Sequence, residues 1–166
     1  IAGQGAAGKT TGYKGGTLSI ETIVDSAPGV EKLARIEAVQ VCNTVSDSLT
    51  DKDWIHLANT INEMAPDPEI AGFVITHGTD TMDETAFFLN LVVKTEKPVV
   101  ITGAMRPATA TSADGPLNLY QAVLTAACPE SVGKGVMVVF SDRIYGGRDV
   151  QKRSTYSVTA LNQVEG

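Results

Sequence analysis

The stretch Phe73-Val-Ile-Thr-His-Gly-Thr-Asp-Thr-Met-Asp-Glu84 decides how this chain folds. Phe73 to Thr76 predict a short buried strand, and Gly78 permits the sharp turn that follows it. Thr79 and Asp80 then fall at the carboxyl end of the strand, just before a helix. Ligands bind at this edge in open α/β sheets, and the helix N-terminus there attracts anions. We therefore expect functional residues in this turn.

Part of this polarity also has a structural explanation. Thr81 with Glu84 three residues later fits a capping box, which satisfies backbone N–H groups of the first helical turn. Asp80 and Thr81 are ordinary N-cap residue types, so the capping interpretation stays open beside the functional one.

Extended apolar segments alternate with segments of helical period from residue 34 onward. Strands are predicted at 36–41, 73–76, 98–102 and 136–140, and helices at 51–64, 84–93 and 117–127. Thr50 and Asp51 can cap the first of these helices, and Pro116 suits the first turn of the last one. This alternation predicts an α/β fold with a mainly parallel sheet flanked by helices.

The two ends of the chain lack this alternation. The glycines before residue 18 are Gly3, Gly5, Gly8, Gly12, Gly15 and Gly16. Their density predicts a Gly-rich N-terminal flexible loop or hairpin, followed by a helix near Ser19 to Val24. Residues 158–166 carry no clear period and are interpreted as a stub that leads to a part of the protein absent from this sequence. No interior linker divides the chain, and 166 residues suit one domain.

Composition excludes several classes of partner. Nineteen acidic against thirteen basic residues give a net charge of −6 without a basic block, so we expect no nucleic acid and no membrane partner. The longest apolar runs are far shorter than the ~20 residues of a membrane-spanning helix. Cys42 and Cys128 lack CxxC spacing, and His56 and His77 are the only histidines, so no metal site is expected.

Gly3-Gln-Gly-Ala-Ala-Gly-Lys-Thr10 matches the GxxxxGK[ST] spacing of a phosphate-binding P-loop. Such a loop needs a helix that begins at its Lys-Thr pair and directs N–H groups at phosphate. Here the chain continues as Thr11-Gly-Tyr-Lys-Gly-Gly-Thr17, and each glycine in a helix costs about 1 kcal/mol. A P-loop nucleotide-binding module is therefore the alternative function rather than the leading one.

Thr79, Lys152 and Asp80 are residue types of a nucleophilic catalytic site. A hydroxyl needs a base to take its proton and a third group to orient that base. Burial favours a neutral lysine amine and a nearby carboxylate favours a charged one, so the protonation state of Lys152 stays open. Taken alone, Arg148-Asp-Val-Gln-Lys-Arg153 is more typical of a solvated charge run.

Two further loops follow predicted strands at the same sheet edge. Ser46 can donate to a carboxylate and Asp47 can bind an ammonium, although isolated residues of these types are more often a simple turn. Gly103-Ala-Met-Arg-Pro107 follows the strand at 98–102. Arg106 can bind anions, but we favour a structural role in which it locks loops through a carboxylate such as Asp114.

These motifs, in this order, resemble the bacterial type II L-asparaginases and glutaminase-asparaginases. Ile1-Ala-Gly-Gln-Gly resembles the end of the family's TGGTIAG loop, and Val74-Ile-Thr-His-Gly-Thr-Asp-Thr81 its second signature. The other matching stretches are Gly103-Ala-Met-Arg-Pro107, Ser112-Ala-Asp-Gly-Pro116 with Asn118-Leu-Tyr120, and Gly147-Arg-Asp-Val150 ahead of Lys152. The resemblance implies that residues 1–166 are the large N-terminal α/β domain of such an enzyme, with its start truncated and its C-terminal domain absent.

The resemblance also implies catalytic roles. Thr79, Asp80 and Lys152 match the family's second threonine and its triad partners. Tyr13 matches the tyrosine of the family's flexible loop. The family's first threonine falls just upstream of Ile1, and we take it as the primary nucleophile, with Thr79 activating water or completing proton transfer.

Substrate contacts follow from the same resemblance. Ser46 matches the serine that holds the substrate α-carboxylate, whereas Asp80 and Asp47 lie where the α-ammonium binds. Ala104 offers a backbone carbonyl near the side-chain amide. The expected substrate-binding residues are Ser46, Asp47, Gly78, Thr79, Asp80 and Ala104.

The implied activity is hydrolysis of the side-chain amide of L-asparagine, and also of L-glutamine, to the acid and ammonia through a threonine acyl-enzyme. The resemblance implies no cofactor, a homotetramer with active sites completed by a neighbouring subunit, and a periplasmic or secreted location. Two alternatives stay open. One is an amidotransferase subunit that uses the same threonine, aspartate and lysine on a larger substrate, and the other is an amino-acid-binding domain without catalysis.

Overall fold

The computed structural model describes residues 16–163, and the elements below belong to that range. Its helices are α1 Ile20–Asp25, α2 Asp51–Met64, α3 Met82–Val92 and α4 Gly115–Ala127. Its strands are β1 Phe73–Thr76, β2 Val99–Thr102, β3 Val136–Phe140, β4 Arg143–Gly146, β5 Val150–Lys152 and β6 Leu161–Gln163. Tyr13, nearly all of the glycine-rich loop and the P-loop-like stretch lie outside the described residues.

A four-stranded sheet in the order β1-β2-β3-β4 forms the centre of the described chain. β1, β2 and β3 are parallel, with Phe73 opposite Val99 and Val99 opposite Val136. β4 runs antiparallel to β3, and β5 and β6 form a separate antiparallel pair. The predicted α/β fold with a mainly parallel sheet is confirmed. The carboxyl ends of the three parallel strands therefore share one edge of the sheet.

Helices pack on both faces of this sheet, which explains why β2 and β3 are buried at every position. Successive side chains of a strand point to opposite faces, so Val99 and Ile101 join the core under α2 and α3 while Val100 joins the core under α4. The first core includes Ile61, Met82, Ala86, Leu89 and Phe140, and the second Ala122, Ala126, Met137 and Val139.

Local sequence signals start the helices. The Asp53 carboxylate accepts hydrogen bonds from the Thr50 backbone N–H at 2.8 Å and the Thr50 hydroxyl at 2.6 Å, which closes the first turn of α2. Pro116 lies in the first turn of α4. The predicted helices are confirmed, with α3 and α4 beginning slightly earlier than expected. Within residues 16–163, no helix has the length and apolar character needed to cross a bilayer.

The capping box predicted for Thr81 and Glu84 is wrong. Thr81 is the N-cap residue of α3, but its side chain makes no capping hydrogen bond. Its hydroxyl instead donates to the backbone carbonyl of Ser46, at 2.8 Å between the oxygens. A tertiary contact has replaced the local one, because the turn that carries Ser46 lies against the start of α3.

The strand predicted at 36–41 is also wrong. Residues 34–43 have no regular secondary structure, and a cavity of about 440 Å³ is lined both by them and by β1. A strand is stabilised by the backbone hydrogen bonds of a neighbour, and no described strand pairs with these residues. Ile36 and Val39 are accordingly 36% and 45% exposed although their apolar pattern favours burial.

The sequence pattern does not predict the hairpin of β3 and β4 or the strand β6. Ser141 and Asp142 connect β3 to β4 with φ values of 49° and 62°, and two positive values in succession are typical of a type I′ turn. Such turns are dominated by Gly, Asn and Asp, and only the second of these two residues, Asp142, fits that preference. The sequence carries no clear period at Leu161–Gln163, yet these residues form β6, in which Leu161 pairs with Lys152.

Candidate active site

Lys152 lies between Thr79 and Asp80. Its ammonium nitrogen Nζ is 2.9 Å from the Thr79 hydroxyl oxygen and 2.6 Å from an Asp80 carboxylate oxygen. The Lys152 side chain is only 11% exposed, whereas the Asp80 side chain is 62% exposed. The interpretation of this region as a solvated charge run is therefore wrong for Lys152. A hydroxyl, an amine and a carboxylate form one contiguous group.

Different elements position these three side chains. Thr79 and Asp80 lie in the turn between β1 and α3, where the parallel pairing of β1 with β2 ends. Lys152 is the last residue of β5, and its backbone N–H donates to the Asp83 carboxylate in the first turn of α3, at 3.0 Å. Asp83 thus holds the backbone of Lys152 beside the turn, and Asp80 holds its amine.

Donor and acceptor roles locate the protons of this group. An ammonium only donates, so Lys152 donates to the Thr79 oxygen and to the Asp80 carboxylate. The Thr79 hydroxyl in turn donates to the Met105 sulfur, 3.3 Å away. In this arrangement Lys152 stabilises negative charge on the Thr79 oxygen. It can take up the Thr79 proton only when its amine is neutral and the hydroxyl turns from Met105 towards Nζ.

Ser46 borders the same turn. It is 3% exposed, and a Cβ atom on Gly78 would lie 2.6 Å from its hydroxyl oxygen. Only glycine therefore allows the turn to approach Ser46 this closely. The Thr81 hydroxyl bond to the Ser46 carbonyl holds the two loops together. The structure thus brings the predicted residues Ser46 and Gly78 together at the turn that carries Thr79 and Asp80.

Asp47 follows Ser46 but has a different environment. It is exposed, and its carboxylate accepts a hydrogen bond from the Ser48 hydroxyl at 3.3 Å. Neither ion pair among the described residues includes it. The structure therefore places Asp47 next to Ser46 without joining it to Lys152.

Asp114 fixes the loop that follows β2. Its carboxylate oxygens accept hydrogen bonds from the backbone N–H groups of Met105 and Arg106, each at 2.9 Å. The Arg106 guanidinium donates to the backbone carbonyl of Ser112, also at 2.9 Å. These contacts agree with the structural role predicted for Arg106, although its side chain binds a carbonyl rather than a carboxylate. The loop thereby holds the Met105 sulfur against Thr79.

Asn118 on α4 fixes the start of the same loop. Its side-chain amide donates to the backbone carbonyl of Gly103 at 2.9 Å. A Cβ atom on Gly115 would lie 3.3 Å from the Ala104 Cβ, so the beginning of α4 backs Ala104 closely. The predicted residue Ala104 is thus held in the loop that follows β2, at the edge where Thr79 lies.

Sequence reasoning missed His77, Asp83 and Met105 as neighbours of the group formed by Thr79, Asp80 and Lys152. His77 belongs to the stretch that decides the fold, but it is 3% exposed and burial lowers its pKa to about 4. Asp83 carries a usable signal, because a carboxylate in the first turn of α3 lies close to Thr79. Met105 carries none, since its contact depends on the fold of the loop.

Among residues 16–163, no three or more His, Cys, Asp or Glu side chains form a group that could hold a metal ion. Cys42 and Cys128 are free thiols, and burial is the main reason that the pKa of Cys42 is raised.

Fold and site together define a class of protein. A hydroxyl and a carboxylate that both contact one amine are the general arrangement of a nucleophilic catalytic site. The group lies at the carboxyl edge of a parallel α/β sheet and beside the start of a helix, where such sheets bind ligands. The class is a parallel α/β domain that carries a hydroxyl, an amine and a carboxylate together at that edge.

The chain belongs to the asparaginase family, because residues 1–166 match the family described as "Asparaginase, N-terminal". It is 50% identical over 162 residues to a Haemophilus influenzae protein named "Probable L-asparaginase periplasmic", covering 98% of this chain and 46% of that protein. It is 49% identical over 153 residues to the "Glutaminase-asparaginase" of Acinetobacter glutaminasificans, covering 92% of this chain and 46% of that protein. The crystal structure named "Probable Cytoplasmic L-asparaginase from Campylobacter jejuni" is similar with a TM-score of 0.94 and 45% identity, covering 98% of this chain and 50% of that chain.

This chain spans about half the length of the curated relatives that it matches. The family match includes Gly3 to Thr10, so these residues belong to an asparaginase-type sequence. The P-loop alternative and the amidotransferase alternative are not supported by any of these relatives.

Proposed function

We propose that the complete protein hydrolyses the side-chain amide of L-asparagine, and also that of L-glutamine, to the acid and ammonia. The observation that carries this proposal is the position of Lys152 Nζ, 2.9 Å from the Thr79 hydroxyl oxygen and 2.6 Å from Asp80. Amide hydrolysis needs a nucleophile, a route for its proton and stabilisation of developing negative charge. The names of the relatives, L-asparaginase and glutaminase-asparaginase, support the choice of substrates.

The proposed reaction has two steps. In the first, a threonine hydroxyl oxygen attacks the amide carbon, the C–N bond breaks, and the hydroxyl proton passes to the nitrogen, which leaves as ammonia. In the second, water adds to the carbon of the resulting threonine ester, the ester C–O bond breaks, and the threonine recovers a proton. The resemblance assigns the first attack to a threonine just upstream of Ile1, assisted by Tyr13.

Thr79, Lys152 and Asp80 serve the proton transfers of this scheme. A neutral Lys152 takes the proton of the Thr79 hydroxyl, which leaves Thr79 able to take a proton from the attacking threonine or from water. Asp80 stabilises the positive charge that this transfer creates, because its carboxylate lies 2.6 Å from Lys152 Nζ. Thr79 is thus proposed to activate water and to complete proton transfer.

The substrate is proposed to bind through its α-amino and α-carboxyl groups beside the Gly78 turn. Ser46 donates to the α-carboxylate, and the carboxylates of Asp80 and Asp47 face the α-ammonium. The backbone carbonyl of Ala104 accepts from the side-chain amide. The 62% exposure of Asp80 supports this double use, since one carboxylate face binds Lys152 and the other is open to solvent.

We also propose that residues 1–166 are the large N-terminal domain of a longer chain. The coverage of about half of each relative supports this. The active unit is proposed to be a homotetramer whose active sites are completed by a neighbouring subunit, without a cofactor, nucleic acid or membrane. A periplasmic or secreted location is proposed from the type II resemblance, and the relatives' names include both periplasmic and cytoplasmic proteins.

Ammonia release by the full-length protein from L-asparagine and L-glutamine tests the proposed function. Thr79→Ala and Lys152→Met are each expected to lower kcat by about 10²-fold or more, the usual scale of a lost proton-transfer group. Lys134→Met removes an exposed lysine and serves as the matched control with unchanged turnover. If both site variants stay within about threefold of wild type, worth under ~0.7 kcal/mol in the barrier, the site assignment is wrong.

A further inference from the structure

His77 is a buried titratable residue that the proposed chemistry does not use. It follows β1 directly and is 3% exposed. Its Nδ1 lies 2.6 Å from the Gly78 carbonyl oxygen, and its Nε2 lies 2.9 Å from the Thr85 hydroxyl oxygen. The Thr85 oxygen in turn accepts a hydrogen bond from the indole Nε1 of Trp54 at 2.9 Å. A chain of three hydrogen bonds therefore runs from α2 through α3 to the turn.

The Gly78 carbonyl at one end and the Trp54 indole N–H at the other fix the position of every proton in these three hydrogen bonds. A carbonyl oxygen only accepts, so His77 Nδ1 carries a hydrogen and donates to Gly78. An indole N–H only donates, so the Thr85 oxygen accepts from Trp54 and keeps its own hydrogen for His77. His77 Nε2 is then the unprotonated acceptor. A neutral ring of this one tautomer satisfies all three bonds, and burial, which lowers the pKa of His77 to about 4, keeps the ring neutral.

The bond to Gly78 controls the peptide that leads into Thr79. A peptide unit is planar, so a fixed Gly78 carbonyl also fixes the direction of the Thr79 N–H. Glycine has wide backbone freedom and would otherwise let this plane rotate. We propose that His77 is a positioning residue that orients the Gly78–Thr79 peptide, and with it Thr79, relative to Lys152. This inference rests on the proposed function.

The surroundings support a positioning role, because they leave His77 and the turn little room to move. The His77 backbone N–H donates to the Thr102 carbonyl at 2.8 Å, and a Cβ atom on Gly103 would lie only 2.3 Å from the His77 carbonyl oxygen. At the Trp54 end of this series of hydrogen bonds, the Trp54 ring stacks on Phe88 with centroids 5.6 Å apart. Side chains of α2 and α3 thus fix the position of the imidazole, and the imidazole fixes the Gly78 carbonyl in the turn.

The first test is ¹⁵N NMR of the histidine side chains in the full-length protein, which does not depend on activity. The result expected for His77 is a protonated Nδ1 and an unprotonated Nε2 that do not change between about pH 5 and 8, the range in which an ordinary histidine titrates. A protonated Nε2, or a His77 that titrates between about pH 5 and 8, would overturn the proposal.

The second test compares Thr85→Val with Thr85→Ser in ammonia release. Valine keeps the shape of threonine but removes the hydroxyl that binds Nε2, and serine keeps that hydroxyl. Thr85→Val is expected to lower kcat about tenfold with KM changed less than about twofold, because a misplacement of about 1 Å can cost about 10² in rate. Thr85→Ser is expected to stay within about threefold of wild type.

The outcomes separate this inference from the proposed function. An active wild-type protein whose Thr85→Val variant folds and keeps its kcat would overturn the role of His77 and leave the amidohydrolase proposal intact. A full-length wild-type protein that releases no ammonia from either amino acid would instead refute the proposed function. If Thr85→Val does not fold, the wild-type NMR pattern decides the tautomer on which the inference depends.

Discussion

Replacing Gly78 with alanine tests how tightly the turn between β1 and α3 is packed. The added Cβ would lie 2.6 Å from the Ser46 hydroxyl oxygen and 2.8 Å from the Ser46 Cβ. Carbon atoms attract at about 3.5–4.0 Å, so the turn or Ser46 must move by about 1 Å. Ser46 cannot retreat easily, because it is 3% exposed and its carbonyl is bonded to Thr81. The turn itself is therefore expected to move.

This displacement has two measurable consequences. Overpacking of a well-packed site lowers the free energy of unfolding by about 1–3 kcal/mol. A shift of about 1 Å of Thr79 and Asp80 relative to Lys152 lowers kcat by up to about 10²-fold. Ammonia release from L-asparagine by the full-length Gly78→Ala variant, with urea denaturation in parallel, measures both effects.

Gly146→Ala is the matched control for this variant. There an added Cβ meets its nearest heavy atom, an Asp149 carboxylate oxygen, at 3.4 Å, which is ordinary contact. The control is expected to keep a kcat and an unfolding midpoint close to those of wild type. Equal kcat values for Gly78→Ala and wild type would refute the reasoning that close approach to Ser46 sets the position of Thr79.

Two further predictions concern residues beside the turn. Asp83→Ala removes the acceptor of the Lys152 N–H and is expected to lower kcat about tenfold, whereas Asp83→Asn keeps an acceptor oxygen and is expected to lose less. Steady-state kinetics compare the two, and equal losses would contradict a hydrogen-bonding role. The pKa of His77 is lowered from 6.5 to about 4, so the unfolded chain binds the extra proton between these values and stability falls as the pH drops from 6.5 to 4. This difference in pKa corresponds to a few kcal/mol of stability at most. Urea denaturation at pH 6.5 and pH 4 measures this pH-dependent part of the free energy of unfolding. It is expected to disappear in His77→Gln and to remain in His56→Gln. If it remained in His77→Gln, its assignment to His77 would be wrong.

Local sequence patterns predict the elements that are stabilised on both faces by neighbours. β1, β2 and β3 carry runs of β-branched residues, and α2 to α4 carry helical periods with recognisable starts, so these elements agree with expectation. The strand expected at 36–41 has the same apolar signal but no paired neighbour among the described residues. An apolar pattern reports a preference for burial, whereas a strand also needs a partner for its hydrogen bonds.

Part of the candidate site also follows from local sequence patterns, and part depends on tertiary packing. The position of Thr79 and Asp80 follows from the strand that precedes them, because parallel strands present their carboxyl ends at one edge. The position of Lys152 does not follow from its own sequence context, which is typical of solvated charges. It depends on the docking of β5 against α3, recorded by the bond from the Lys152 N–H to Asp83. Resemblance to a family indicated a site role for Lys152, whereas the local sequence pattern alone favoured a solvated surface residue.

His77 shows a further limit of sequence reasoning. A lone histidine between a strand and a glycine carries no signal of its tautomer or of the side chains it binds. Its partners Trp54 and Thr85 come from different helices, so only the packed structure brings them together. The Thr81 contact with Ser46 is similar, because a tertiary hydrogen bond replaces the local cap that the sequence predicts.

The most direct test of the central claim is a double-mutant cycle on Thr79→Ala and Lys152→Met, measured as kcat for ammonia release by the full-length protein. Residues that act as one unit give strongly non-additive losses. The double variant is therefore predicted to be no slower than the slower single variant, within about threefold. Losses that multiply would contradict the account, because Thr79 and Lys152 would then serve independent steps.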